Sequence, residues 1–349
     1  MSETVANAGC GCRPGRWDQT RKLLPGIIMC IAVAAVAGWL GQRATLFGGA
    51  VIAILLGIVV GNVTGVTARE KPGISFCSKK VLQASIIVLG GGVSFSQVVD
   101  VGGQSVVVML STLAAALLVA YGVGRLLRVP RNLMRLIGVG TGICGGSAIA
   151  AVAPIVEADD DEIAFSISTV FLFNVMAVVL FPALGHLMQM SDSGFGIWAG
   201  TAVNDTSAVV ASAYSYSQAA GDYATITKLA RTTMIVPVAL AFALLLAGGR
   251  RAQGEPLAAG VVRVFPWFVL GFAAMAMLNT LGAWDAAVAK GFSTVGKDYL
   301  MVLALAAVGL GTDLRKIMST GFRPVLLGLA VWAAVALTSL AVQAVTRML

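Results

Sequence analysis

Charge is the scarcest property of this chain. Only 11% of its 349 residues are Asp, Glu, Lys or Arg, against about a quarter in a soluble domain. So few charges cannot cover a water-facing surface. That excludes a soluble enzyme, a nucleic-acid binder and a disordered chain. There is one histidine, and the five cysteines are scattered at positions 10, 12, 30, 77 and 144. Neither a disulfide framework nor a Cys/His metal cluster follows from that spacing. Cys10-Gly-Cys12 offers two ligands where zinc normally takes four, so it reads as an idle tail and no metal site is expected. No Walker loop and no nucleophile motif is present, which argues against a primary pump and against an enzyme. Short alternating strands, the mark of a membrane β-barrel, are also missing. The first 22 residues hold Arg13, Arg16, Arg21 and Lys22 but no apolar core. They read as a short cytoplasmic tail rather than a cleavable signal peptide.

What the chain has is apolar length. Hydrophobic residues make up 58%, there are 41 glycines, and mean hydropathy is +0.90. Eleven apolar segments are marked, near 23–42, 46–67, 80–98, 104–127, 131–157, 162–188, 193–216, 223–248, 263–282, 298–314 and 322–346. Runs of about 20 apolar residues span a bilayer as helix. The expected fold class is therefore an all-α polytopic membrane protein, with a membrane domain over residues 23–349.

The net charge of +8 comes from basic loops. Arg69, Lys71, Lys79 and Lys80 follow the second segment, and Arg125, Arg128, Arg131 and Arg135 the fourth. Arg250, Arg251 and Arg263 follow the eighth, and Arg315, Lys316 and Arg323 the tenth. All four sets fall on the side of the N-terminal tail. Basic loops face the cytoplasm, which places the N-terminus inside and the C-terminus outside. Lys290 and Lys297 are the exceptions, on the outer side.

Two internal repeats bear on topology. Gly140–Ala153 matches Gly200–Ala213 at an offset of 60, with six of fourteen positions identical. More weakly, Gly90-Gly91-Gly92 aligns with Gly309-Leu310-Gly311 at an offset of 219. If all eleven segments cross, one repeat is inverted and the other parallel, which a single pseudo-two-fold axis cannot generate. If 131–157 and 193–216 are instead opposed re-entrant hairpins, both repeats invert and every basic loop keeps its side. The expectation is nine crossings plus two hairpins, eleven crossings being the alternative, with inverted repeats over about 80–190 and 193–347. Inverted repeats with broken segments meeting at depth are a transporter arrangement.

The hairpin tips carry the candidate site. The first includes Gly145, Gly146 and Ser147; the second includes Asn204, Asp205, Thr206 and Ser207. Glycines allow the turn, and the half-helix after each tip would present free N–H groups and a positive dipole end to a small anion. The bland alternative is that Ser and Thr satisfy helix ends and glycines allow close packing. Lys228 and Arg231 share one face of the eighth segment, three residues apart. Arg suits a planar oxyanion and Lys supplies a compact charge. They lie only about 8–12 Å from the start of that segment, at 1.5 Å per residue, so snorkelling to the interface competes. Asp205 near an anion is repulsive. It is expected to pair with Arg231 or Lys228, or to carry a proton or cation. Asn174 and Asn279 read as interhelical hydrogen-bonding residues. Asp159–Glu162 reads as a solvated loop, and His186 as interfacial.

These motifs carry a resemblance. Val88–Phe95, Gly140–Ala150 and Thr227–Thr232 resemble the YeiH-like sulfate exporter family of bacterial inner membranes, over most of the chain from about residue 23. The Gly-Gly-Ser tip is also similar to the crossover segment of the cation/proton antiporter and bile-acid symporter superfamily. The resemblance implies a mobile core moving against a scaffold, a homodimer, and secondary transport of small anions such as sulfate, other sulfur oxyanions or organosulfonates. It places the substrate at Gly145, Gly146, Ser147, Asn204, Asp205, Thr206, Ser207, Lys228 and Arg231, with Na+ or H+ as coupling ion and no other cofactor. A channel, or a transporter of another small carboxylate, is the alternative; the chain shows no ring-forming charged helix of the kind channels use.

Overall fold

The structure, a computed structural model, describes residues 16–41, 49–247, 267–315 and 321–348. The Cys10–Cys12 tail, Arg250, Arg251, Arg263 and Lys316 lie outside the described residues. Every regular element described is a helix. Helices α1 (Arg16–Gly41) and α2 (Gly49–Thr64) come first. Then α3 (Lys71–Phe76), a π turn (Cys77–Val81) and α4 (Leu82–Gly90) run as one continuous rod. The long α5 (Phe95–Leu126) leads to two short helices, α6 (Arg131–Gly142) and α7 (Gly146–Val152). After α8 (Asp160–Leu187) comes a second short pair, α9 (Asp192–Ala202) and α10 (Thr206–Tyr216). Next are α11 (Gln218–Thr233), α12 (Ile235–Ala247) and α13 (Trp267–Thr280). A second rod joins α14 (Ala286–Thr294), a π turn (Val295–Met301) and α15 (Val302–Leu310), and α16 (Phe322–Thr346) closes the chain.

Seven helices are long and apolar enough to cross a membrane, and Gly49–Thr64 and Trp267–Thr280 are shorter apolar helices. Large hydrophobic side chains such as Leu118, Leu126, Leu187 and Val345 stay more than two-thirds exposed, which suits a lipid-facing surface and not a water-facing one. The chain is a multi-pass membrane protein.

The acidic run is not a loop. Asp159 caps α8 by accepting from the Glu162 N–H at 2.7 Å, and Glu162 reciprocates on the Asp159 N–H at 3.2 Å. This capping box satisfies two donors that a helix start leaves unpaired.

The helices form two groups. One holds α1–α4 and α13–α15; the other holds α5–α12 and α16. In the first group glycine allows backbones to touch. A side chain at Gly57 would strike the Ala306 carbonyl at 2.5 Å, and the Gly26–Gly73 crossing is as tight. Small residues at such crossings give close van der Waals contact, which drives helix association in lipid. Hairpin helix α10 touches the first group through α2.

The two rods of the first group share features at the 219-residue spacing. Each carries a π turn about 219 residues from the other, and each ends within the stretches aligned at that offset, at Gly90 and at Leu310. They pack antiparallel: Gly311 lies against Ile74, and Gly92 against Ser293. Shifting Ile74 by 219 gives Ser293, and shifting Gly92 gives Gly311, so the two contacts exchange under the repeat offset.

Candidate functional site

Both short helix pairs double back. Asn132, in the first turn of α6, donates from Nδ2 to Glu162 Oε2 in the first turn of α8 at 3.2 Å. The chain therefore leaves and re-enters segment 131–157 at one level. In the second pair, Ser217 Oγ donates to Asp192 Oδ1 at 2.6 Å and Tyr216 OH to the Met190 carbonyl at 2.5 Å. Stacking of Tyr216 on Phe195 and His186 closes that base.

The tips meet. Gly145 adopts φ +71, ψ −131, a conformation essentially restricted to glycine, and lies against the backbone of Asn204 and Asp205. Beside it Gly146 borders open space and Ser147 is exposed, so this face of the site is accessible. Asp205 caps α10, accepting at Oδ2 from the Ser207 N–H at 2.9 Å and from the Ser207 hydroxyl. Thr206 is half-buried and Ser207 buried. Asn174 of α8 holds the second tip from behind: its Oδ1 accepts from the N–H groups of Asn204 and Asp205, both at 3.1 Å. The other expected amide contact also forms, Asn279 Nδ2 donating to the Val93 carbonyl at 3.1 Å.

Lys228 and Arg231 do not snorkel. Helix α11 starts at Gln218, earlier than the segment read from sequence, which carries both residues deeper. Both are essentially fully buried. Lys228 Nζ donates to the carbonyls of Ile143 and Val203, both at 2.9 Å, one from each tip. Arg231 donates from Nε to the Gly142 carbonyl at 2.8 Å and from Nη2 to that of Thr141 at 3.2 Å. These are orphan carbonyls where α6 and α9 end, the negative ends of their dipoles. The expected pairing of Asp205 with either cation is absent among the described residues, because Ser207 and the carbonyls have taken the respective partners.

Among the described residues several buried polar atoms are left without a partner: Asn204 Oδ1 and Nδ2, Thr227 Oγ1 and Arg231 Nη1. An unpaired buried amide is costly, and such groups call for an explanation such as an unseen ligand, ion or water. Thr227 escaped notice in the sequence because it has no charge. Its only signal is its place beside Lys228 in the Thr227–Thr232 motif. Among the described residues no cluster of metal-ligating side chains exists.

The family described as Conserved hypothetical protein 698 matches residues 25–328. A "UPF0324 membrane protein" of Streptococcus pyogenes serotype M18 is 43% identical over 92% of this chain and 96% of its own length. Relatives of the same description occur in Streptococcus agalactiae serotype V, 38% identical over 93% of this chain and 98% of theirs, and in Clostridium tetani, 37% identical over 93% and 97%. The motif resemblance thus holds along the length of the molecule, and the chain belongs to this UPF0324, YeiH-like family of membrane proteins.

Proposed function

We propose that the protein is a secondary active transporter of small anions, of the sulfate and organosulfonate kind, in a bacterial inner membrane. It is not an enzyme. The observation that carries this reading is the meeting of two oppositely based hairpin tips at Lys228, with an unpartnered amide and guanidinium nitrogen beside them. Helices α6 and α9 have 12 and 11 residues, so each reaches roughly 16–18 Å at 1.5 Å per residue. That is about half of a 30 Å hydrocarbon core, and it sets the tips at mid-depth. Lys228 lies ten residues into α11, about 15 Å, at the same level. The seven long and two shorter apolar helices supply nine crossings, with the N-terminus cytoplasmic and the hairpins entering from opposite faces. The two antiparallel rods favour an inverted repeat.

Lys228 and Arg231 build the site more than they clamp the substrate. They neutralise the carbonyl ends of α6 and α9 and so hold the tips together. The anion then takes the N–H groups at the starts of α7 and α10, the Asn204 amide and Arg231 Nη1. Formal charge at the tips is +1 with Asp205 ionised and +2 with it protonated. Asp205 beside the anion is then the candidate coupling residue, as a proton carrier or as a ligand for Na+. Transport proceeds by alternating access as the hairpin group moves against the first group.

Counterflow in proteoliposomes tests the reading. Unlabelled sulfate on one side should accelerate movement of labelled sulfate from the other, as a carrier does and a channel does not. Absence of such exchange for sulfate, thiosulfate, taurine and sulfoacetate overturns it.

A further inference from the structure

Lys290 and Lys297 break the charge rule that the other basic clusters follow, and the structure brings both to one place. They line a cavity of about 620 Å³, within the range of small-molecule sites. One wall is Gln218 and Asp222 of α11; the other is Gly92, Asn279 and the rod from α14 into its π turn. The cavity thus lies between the two helix groups, at the end of α11 opposite the cytoplasmic loops. Lys297 Nζ donates to Gln218 Oε1 at 2.8 Å and sits 5.5 Å over the Tyr214 ring. Lys290 Nζ has no hydrogen-bond or ion-pair partner among the described residues. Two carboxylates are present. Asp222 is engaged, taking the Tyr214 hydroxyl at 2.7 Å; Asp298 is exposed. Among the described residues neither forms an ion pair with Lys290 or Lys297.

We propose that this cavity is a second, outer anion site, in which Lys290 and Lys297 hold a small oxyanion and Ser293 and Gln218 supply neutral hydrogen bonds. Asp222 is held by the Tyr214 hydroxyl, which leaves the exposed Lys290 as the cation open to an anion, and an anion gathered there has its local concentration raised at the mouth of the path. Its place in a transport cycle rests on the function proposed above; the binding itself does not.

Equilibrium dialysis of the purified full chain with labelled sulfate tests this. Two saturable sites per chain are expected. Lys290→Ala, which breaks no hydrogen bond, should weaken one of them about tenfold or more, the scale of a charge-assisted contact, and Lys290→Ala with Lys297→Ala should abolish it. Asn204→Ala should remove the other. One site, lost in the lysine double variant and kept in Asn204→Ala, supports the outer site and overturns the reading of the tips. One site with the reverse behaviour overturns the outer site, and so does a lysine double variant that folds, by its melting curve, and binds as the unmodified chain does. No saturable binding at all overturns both.

Discussion

Asn132 and Glu162 stand thirty residues apart and share a hydrogen bond of 3.2 Å. Between them the chain runs in through α6, turns at Gly145 and comes back. A full crossing would separate these two side chains by the thickness of the membrane. The two ends of the first helix pair therefore meet, and the Ser217–Asp192 contact says the same of the second.

Cysteine labelling in intact cells checks this arrangement. A cysteine at Asp161, beside the base of the first hairpin, should stay unlabelled by an impermeant thiol reagent until the cells are opened. One at Gln189, beside the base of the second, should label at once. Labelling of Asp161→Cys from outside would sink the hairpin topology.

The lysine at the tips should matter even without substrate. Lys228→Met leaves the Ile143 and Val203 carbonyls without a donor. Each unsatisfied buried group costs about 1–3 kcal/mol, so the ligand-free protein should melt several degrees lower. Arg231→Lys keeps the charge but loses the fork that reaches two successive carbonyls, and should be destabilised less. An unchanged melting point for Lys228→Met would show that the carbonyls find other partners.

The two glycines of the first tip should behave differently. Gly145→Ala forces a side chain into a backbone region that costs roughly 1–3 kcal/mol. Gly146 heads α7 and a methyl there meets open space, so Gly146→Ala should leave stability unchanged or slightly raised, by up to about 1 kcal/mol. Thermal unfolding of the two variants side by side is decisive.

Asn204 separates binding from folding. Its amide makes no hydrogen bond among the described residues, so Asn204→Ala should melt at or above the temperature of the unmodified chain, since an unpaired buried amide is a burden. Sulfate-dependent stabilisation, which follows from binding to the native state alone, should meanwhile disappear. Loss of stability with retained ligand response would make Asn204 a structural residue.

Asp205 is the coupling residue in the proposed cycle. Asp205→Asn fixes the tip charge at +2, and the amide carbonyl still accepts from Ser207. The variant should bind sulfate with an affinity indifferent to pH and Na+, exchange it, and fail to accumulate it against a gradient. Full gradient-driven uptake with an unaltered pH and Na+ response would leave Asp205 a helix cap only.

Much of the molecule was written in one dimension. Scarce charge and long apolar runs set the class, because a lipid solvent penalises every unpaired polar group. The 60-residue repeat located both tips, because each half-helix needs the same turn and the same small residues. The 219-residue match is weak as letters, and a π turn lies in each of the two rods that contain it. What the sequence could not show is who partners whom. Asp205 with Lys228 or Arg231 is the pairing charge alone suggests. In three dimensions Ser207 lies two residues from Asp205 and captures it first, while the cations find four backbone carbonyls. Backbone groups are silent in a sequence because every residue has them. Lys290 and Lys297 were visible as exceptions to a rule, but only the approach of the second rod to the start of α11, where Lys297 meets Gln218, gives them a cavity to share. Composition and period decide what must be buried; which buried groups meet is settled by the crossing of helices far apart in the chain.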